Sequence, residues 1–445
     1  MLGEAKARSI CQKALSLSKA DQTEVLLLGY DRQLTRFANS YIHQNVSESD
    51  AQLRVRVVIG KKIGVAVTNR LDDSSISQVV ENAIAIARLQ PENPNFKSLP
   101  EPTPIPELAA FDEKVLSLTP AAKAEAVGKI CRRARELGLV ASGAYNTETF
   151  EIAVANSLGV FAYFPGTEVS FNTVIMSDTG SGYAAGVGWD LERLNLEALG
   201  EEAIQKALKS RNPKEVLPGI YTVILQEYAV ADMLATLAYL GMGALSVQEG
   251  RSFMCDNFGK QIMAPLISIW DDGFDLSGLP KPFDFEGVPK QKVMLVEKGV
   301  AKNVVYDSYT AGIEGRSSTG HALPAPNTMG PLPTNLFMAA GSSSLEEMIA
   351  STDKGLLITR FHYTVPVDPK RTVVTGMTRD GTFWVEKGEI AYPVKNLRFT
   401  QNYVKAFAAA EALGRDTRLV PTDMGGIRAP AVKITEFEFT GVTEF

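Results

Sequence analysis

The hydrophobic pattern changes period most clearly between Tyr221 and Arg251. Tyr221–Leu225 alternates and is rich in β-formers, which predicts a strand. After Gln226-Glu227, apolar residues fall at Val230, Met233, Leu234, Leu237 and Gly241, the i, i+3, i+4, i+7, i+11 spacing of one helical stripe. The opposite face carries Ala231, Ala235, Thr236, Ala238 and Tyr239, with small residues where another backbone can come close. The pattern predicts a buried helix over 230–242. It holds no His, no Cys and, after Asp232, no carboxylate before Glu249.

The same reading orders the rest of the chain. Residues 2–18 read as a helix, Thr23–Tyr30 as a strand, and Leu53–Ile59 with Ile63–Thr68 as a hairpin around Gly60-Lys61-Lys62. Asp72, Asp73 and Ser74 offer caps for a helix running to about Leu89. Six prolines between Pro91 and Pro106 exclude helix and central strand there, leaving a stiff extended connection. Thr119 and Pro120 then open a helix that Gly138 closes. Strand-like runs follow at Leu139–Asn146, Glu151–Ala155, Val160–Phe164 and Val169–Met176. Gly180, Gly182, Gly186 and Gly188 read as a loosened stretch, and Leu196, Leu199, Ala203 and Ala207 as a helix ended by Pro213. Helix–strands–helix thus occurs twice, which suggests a structural duplication. From 215 onward the chain reads as short β-rich runs split by Gly and Pro, with two helices, at 230–242 and 345–353. The second has a capping box from Ser344 to Glu347.

The expected fold is α+β: N-terminal helix–strands–helix units followed by a larger β-rich C-terminal domain that carries one buried helix. The divisions are 1–90, a Pro-rich connection at 91–118, 119–213, and 214–445. A chain of 445 residues with 45% hydrophobic content supports a large core. Net charge of −6 gives no basic footprint for nucleic acid. Three scattered cysteines (Cys11, Cys131, Cys255) suggest no disulfide framework and a cytoplasmic setting. The first twenty residues carry charges throughout, unlike a signal peptide. No apolar run reaches the roughly 18 residues that span a bilayer.

Candidate chemistry is sparse. His43, His321 and His362 have no helical pair spacing for a metal. Arg316–His321 (RSSTGH) sets hydroxyls beside a histidine, so a Ser–His pair is weighed there against ordinary turn chemistry. Gly341–Ser344 reads as a helix cap more readily than as a nucleophile loop. Gly180-Ser181-Gly182 lacks a phosphate-loop context. Asp271, Asp272, Asp275, Asp284 and Glu286 lack EF-hand spacing and read as solvated turns rather than a Ca²⁺ site. Glu249-Gly250-Arg251 is either a charged cleft wall or a salt link of Arg251 with Glu249 or Asp272.

Several runs occur in a specific order: EGRSFMCDNFGKQI (249–262), DDGFDL (271–276), FDFEGVP (283–289), VEKGV (296–300), YDSYTAG (306–312), RSSTGHA (316–322), SLEEMIAST (344–352), GLLITRF (355–361) and KGEIAYPVKN (387–396). In that order they resemble the C-terminal half of the TldD/TldE (PmbA) family, also called modulator of DNA gyrase. The resemblance covers most of the chain and is densest over 215–410. TldD-type members carry HExxxH on the helix corresponding to 230–242, and a Cys near the C-terminus completes their zinc site. The matching positions here are Ala235, Thr236 and Leu240, and no Cys follows Cys255. The chain therefore resembles the TldE/PmbA branch. That resemblance implies a subunit with no catalytic residue, metal or cofactor of its own. Its partner would be a zinc-bearing TldD-like protease in a cytoplasmic heterodimer acting on unfolded or ribosomally made peptides, with a homodimer when alone. Peptide contact is expected through Glu249, Arg251, Ser318, Thr319 and His321, with no direct nucleic acid and no membrane. The alternatives are an independent hydrolase with a rebuilt non-metal site and a peptide-binding module without catalysis.

Overall fold

The structure is a computed structural model that describes residues 1–443. Its N-terminal part contains α1 (Glu4–Leu17), β1 (Gln22–Ala38), β2 (Tyr41–Ile59), β3 (Lys62–Thr68), α2 (Asp73–Leu89), α3 (Glu113–Ser117), α4 (Pro120–Glu136), β4 (Val140–Asn156), β5 (Phe161–Met176), β6 (Ser181–Gly188) and α5 (Leu196–Lys209). The six strands form one antiparallel sheet ordered β3-β2-β1-β4-β5-β6. The sequence α1-β1-β2-β3-α2 is repeated as α4-β4-β5-β6-α5, and the two meanders meet through β1 and β4, from Glu24↔Asn156 to Phe37↔Gly143. Each half has its own core. Ile10, Val25, Leu27, Val55 and Val80 fill one, and Val127, Ile130, Phe171, Ile175 and Ile204 the other.

Local chemistry explains the helix limits. The Asp72 side chain caps α2 by accepting from the Ser75 amide. Thr119 caps α4, Pro120 begins it, and Gly138 sits just beyond its end at φ +66°. Residues 90–112 contain neither helix nor strand. Asn156 Nδ2 pins this connection by donating to the Pro100 carbonyl at 2.7 Å.

Two expectations for this part need correction. The four short runs between 139 and 176 are two long strands, because the chain stays extended past the polar residues near Thr147 and Gly166. The glycines between 180 and 188 do not loosen the chain but build β6. A Cβ on Gly182 would lie 2.1 Å from the Ala203 carbonyl oxygen and 2.5 Å from the Ala207 amide, so glycine is what admits α5 onto the sheet. Gly64 does the same for α2, with 2.2 Å to the Ala83 oxygen and 2.4 Å to the Ala87 amide.

The C-terminal part contains β7 (Gly219–Leu225), α6 (Glu227–Gly241), α7 (Ala244–Gln248), β8 (Ile269–Asp271), β9 (Val293–Glu297), β10 (Val300–Ala301), α8 (Ser308–Glu314), β11 (Leu336–Met338), α9 (Leu345–Ala350), β12 (Lys354–Asp368), β13 (Val373–Glu386), β14 (Glu389–Pro393), β15 (Leu397–Asn402), α10 (Tyr403–Ala408), β16 (Ala410–Thr422) and β17 (Gly425–Val442). Its eleven strands follow the path β10-β9-β8-β11-β17-β15-β13-β12-β7, with β14 on β13 and β16 on β17. A further β17–β7 pairing closes β17, β15, β13, β12 and β7 into a ring. Closure leaves few free backbone edges among these strands. α6 packs across β12, β16 and β17.

The α+β architecture with a β-rich C-terminal region agrees with expectation. Three short helices (α7, α8, α10) were not anticipated, because five to seven residues are too few to display a period. The β runs are also longer than expected. In β12, register shifts at Ile358/Arg360, His362/Val365 and Pro366/Asp368 mark bulges inside one strand rather than strand ends. No helix among the described residues is long and apolar enough to cross a membrane.

Candidate functional site

α6 buries most of its surface. Val230, Met233, Leu234 and Leu237 are wholly buried, and so are Ala231 and Ala238 on the small-residue face. What remains is a narrow stripe of Asp232, Ala235, Thr236 and Tyr239, spaced i, i+3, i+4, i+7. This stripe lines a cleft of ≈ 550 Å³. The bulged second half of β12 (Arg360–Thr364, Pro366), the β16–β17 turn (Pro421–Met424) and Tyr183 of β6 form its other walls. The cleft therefore lies where both parts of the molecule meet.

Asp232 dominates its electrostatics. Thr364 Oγ1 donates to Asp232 Oδ2 at 2.9 Å. Tyr403 acts on the same carboxyl, although neither its hydroxyl nor Asp232 Oδ1 completes a well-formed hydrogen bond. Burial pushes the Asp232 carboxyl up to about 6, against the pull of Thr364, Tyr403 and Arg360, while Asp423 adds to the rise. Arg360, the cation of the cleft, is already engaged. Its Nε and Nη2 reach Asp380 Oδ2 at 2.6 and 2.5 Å, and its guanidinium covers the Tyr183 ring at 4.2 Å. Burial, then Arg379 and Arg360, hold His362 below its ordinary value, so it is neutral near pH 7. Tyr228 is fixed by Arg418 Nη1 at 2.5 Å and stacks edge-on with Tyr183 at 5.2 Å.

The residues singled out from the sequence lie elsewhere. Arg251 Nε meets Glu249 Oε2 at 2.5 Å in an exposed pair, and neither residue lines the cleft. Asp272 pairs instead with Lys292 at 3.3 Å. Ser318 Oγ donates to the Tyr306 carbonyl at 3.1 Å and accepts from the Gly320 amide at 3.1 Å. Thr319 Oγ1 contacts His321 Nδ1 at 2.9 Å, and His321 Nε2 contacts Asp271 Oδ1 at 2.8 Å. That Asp–His–hydroxyl chain has the order of a nucleophile relay, but the space beside it is only ≈ 10 Å³. Thr319 Oγ1 also accepts from the Tyr306 amide at 2.8 Å, so the network ties the 316–321 turn to the connection that leads into α8.

The carboxylates expected as solvated turns are in part a buried set, which is a correction. Asp271, Asp284 and Glu286 are 0%, 3% and 5% exposed. They are satisfied by main-chain donors: Asn335 N to Asp271 at 2.7 Å, Ala322 N to Asp284 at 2.8 Å, and Ser308 N to Glu286 at 3.0 Å. Ser344 caps α9 in a reciprocal box with Glu347, as the sequence indicated.

The donor set at the α6 cleft does not fit zinc. Ala235 and Thr236 face the cleft, while Leu240 is 5% exposed and does not line it. His362 is the one imidazole on the lining. Among the described residues no three His, Cys, Asp or Glu side chains are grouped to hold a metal ion.

These features define a class: an α+β protein whose closed β-rich half holds a buried helix against a cleft shared with an N-terminal duplicated sheet. The chain belongs to the TldD/PmbA metallopeptidase family. It matches the PmbA/TldA metallopeptidase domain 1 over 23–87, the central domain over 104–211 and the C-terminal domain over 218–441. It is similar to the metalloprotease PmbA of Escherichia coli O157:H7, 26% identical over 87% of this chain and 86% of that protein. It is also similar to the metalloprotease TldD homolog of Haemophilus influenzae, 24% identical over 88% of this chain and 87% of that one. Its fold matches that of TldE from Thermococcus kodakarensis with a TM-score of 0.90, at 22% identity, over 98% of this chain and 99% of the other.

Asp232 was passed over in the sequence, where it served only to mark the last carboxylate of the helix. The signal was present as its i, i+3, i+4, i+7 spacing with Ala235, Thr236 and Tyr239.

Proposed function

We propose that this chain is a TldE/PmbA-like subunit without a metal centre of its own, acting beside a zinc-bearing TldD-like protease on unfolded or ribosomally made peptides. The observation that supports this reading is the α6 stripe. The two cleft-facing positions that the resemblance assigns to a zinc ligand and its adjacent carboxylate carry Ala235 and Thr236, yet the cleft beside them is open. In such a pair this chain contributes a wall that binds and orients peptide, and the partner contributes the metal chemistry. A cytoplasmic setting accords with three unpaired cysteines.

The rebuilt-hydrolase reading draws on the Asp271–His321–Thr319 chain, and the closed space there argues against it. Metal analysis and reconstitution test the proposal together. The purified chain should retain no stoichiometric zinc after dialysis against a weak chelator, and should cleave peptides only when a TldD-like partner is added. Turnover by the isolated chain overturns the proposal in favour of an independent enzyme. Peptide binding without turnover, even with the partner present, favours a binding module.

A further inference from the structure

We propose that the cleft beside α6 is a binding site for a primary ammonium group, presented by a peptide as its free N-terminus or as a lysine side chain. The inference rests on the peptide-handling reading above and adds the chemistry that the cleft selects.

The cleft holds negative charge without a matching cation. Its lining carries two carboxylates, Asp232 and Asp423. Arg360 is the lining cation, and its guanidinium is committed to Asp380, itself 3% exposed. Burial first, then Arg379 and Arg360, lower the His362 pKa, so that imidazole adds no cation near pH 7. No salt bridge engages Asp232 or Asp423 among the described residues. Anionic ligands are disfavoured here, and a desolvated carboxylate gains most from a donor that brings its own charge.

The geometry matches an ammonium better than a metal ion. Asp232 Oδ2 takes one hydrogen bond, from Thr364, and Oδ1 is shielded without completing one. An –NH₃⁺ group offers three donors from one compact centre, enough for a carboxylate oxygen and neighbouring hydroxyls. Four tyrosines line the cleft together with the two carboxylates. Tyr183 and Tyr228 form the inner wall, while Tyr239 and Tyr363 stand 51% and 73% exposed at the rim. Arg360 and Arg418 already cover the Tyr183 and Tyr228 rings at 4.2 and 5.0 Å, so the ring faces left to an organic cation are those of Tyr239 and Tyr363. A divalent metal needs more converging oxygen or imidazole ligands than this lining provides. The raised pKa of Asp232 belongs to the same picture, since burial is its first cause and the pull of Arg360 does not offset it.

The test uses the full chain and one lysine-free peptide in three forms: with a free N-terminus, N-acetylated, and N-acetylated with one lysine introduced. Calorimetric titration at physiological salt should show the free-amine form binding about 10-fold tighter than the acetylated form. Equal recovery by the lysine peptide identifies any primary ammonium as the ligand, and no recovery identifies the N-terminus. Asp232→Asn should abolish the preference, and Asp423→Asn should weaken it. Glu197→Gln, which removes an exposed α5 carboxylate outside the cleft, should leave it intact and so exclude bulk charge attraction. If Asp232→Asn does not fold, Asp423→Asn decides. Indifference to acetylation overturns the ammonium site while leaving the peptide-handling role standing. So does a preference that survives the carboxylate substitutions. Failure of all three peptides to bind also overturns the ammonium site, and the reconstitution assay then judges the subunit reading separately.

Discussion

At the residue scale, most polar groups that look reactive in the sequence serve as structural ties. His321 is the clearest case. It is 1% exposed and sits between Thr319 and Asp271, with Lys290 Nζ 3.8 Å from the same Asp271 oxygen. Burial pushes Asp271 up, but Lys290, His321 and the Asn335 amide pull it below its ordinary value. His321→Ala would leave that carboxylate short of a partner inside the core. We expect a loss of about 2–4 kcal/mol in denaturant unfolding, with peptide binding at the α6 cleft unchanged. Lost peptide binding in a stably folded variant would move the functional site to this turn. These roles were not legible beforehand. Asp271, Asp284 and Glu286 stand beside glycines, as turn residues do. The amides that bury them come from Asn335, Ala322 and Ser308, far along the chain.

At the element scale, periodicity located α6 and its apolar stripe, but could not say which of the remaining residues met solvent. Ala231 and Ala238 are as buried as Leu237, while Ala235, Thr236 and Tyr239 on the same small-residue face line the cleft. Capping chemistry was the most legible signal, as at Asp72, Thr119 and Ser344, because it depends on neighbours three residues away. Glycines were the least legible. The same residue type breaks a strand, forms a bulge or admits a helix, and only the packing decides. Gly182 is the third kind. The two nearest of the three contacts that a Cβ would make there are backbone atoms of α5, which cannot swing aside. Gly182→Ala should therefore cost about 1–3 kcal/mol by overpacking, although alanine has the better strand fit by volume. Gly3→Ala lies at φ +84° with open space around it and shows the contrasting case, conformational strain without a clash. A Gly182→Ala protein as stable as the parent in urea would mean that α5 lies farther from β6 than described.

At the scale of the whole molecule, the sequence conveyed two regions of different character but not how they join. β1 and β4 pair across more than a hundred residues, a register that no local pattern encodes. The join itself is a buried charge node. Arg56 Nη2 of β2 reaches Glu24 Oε2 of β1 at 2.5 Å and Glu286 Oε1 of the C-terminal part at 2.9 Å. Asp284 and Asp307 stand close by, so carboxylates outnumber the single guanidinium. Burial, reinforced by Glu286 and opposed by Arg56, lifts Glu24 from its ordinary 4.5 to about 7. Burial and Glu286 raise Asp284 and Asp307 as well. A carboxyl whose folded-state value is raised favours folding while it is protonated. Its contribution is complete below the unfolded value and is lost as pH climbs through the folded one. For Glu24 that window runs from about pH 4.5 to about pH 7. Glu24→Gln keeps an oxygen that can accept from Arg56 and removes the titration. Across that window the parent should lose stability relative to the variant, so the difference between their urea midpoints should grow with rising pH in favour of Gln. Midpoint curves that stay parallel would show that Glu24 is ionised throughout, held by Arg56 alone, and that the node joins the two parts without sensing protons.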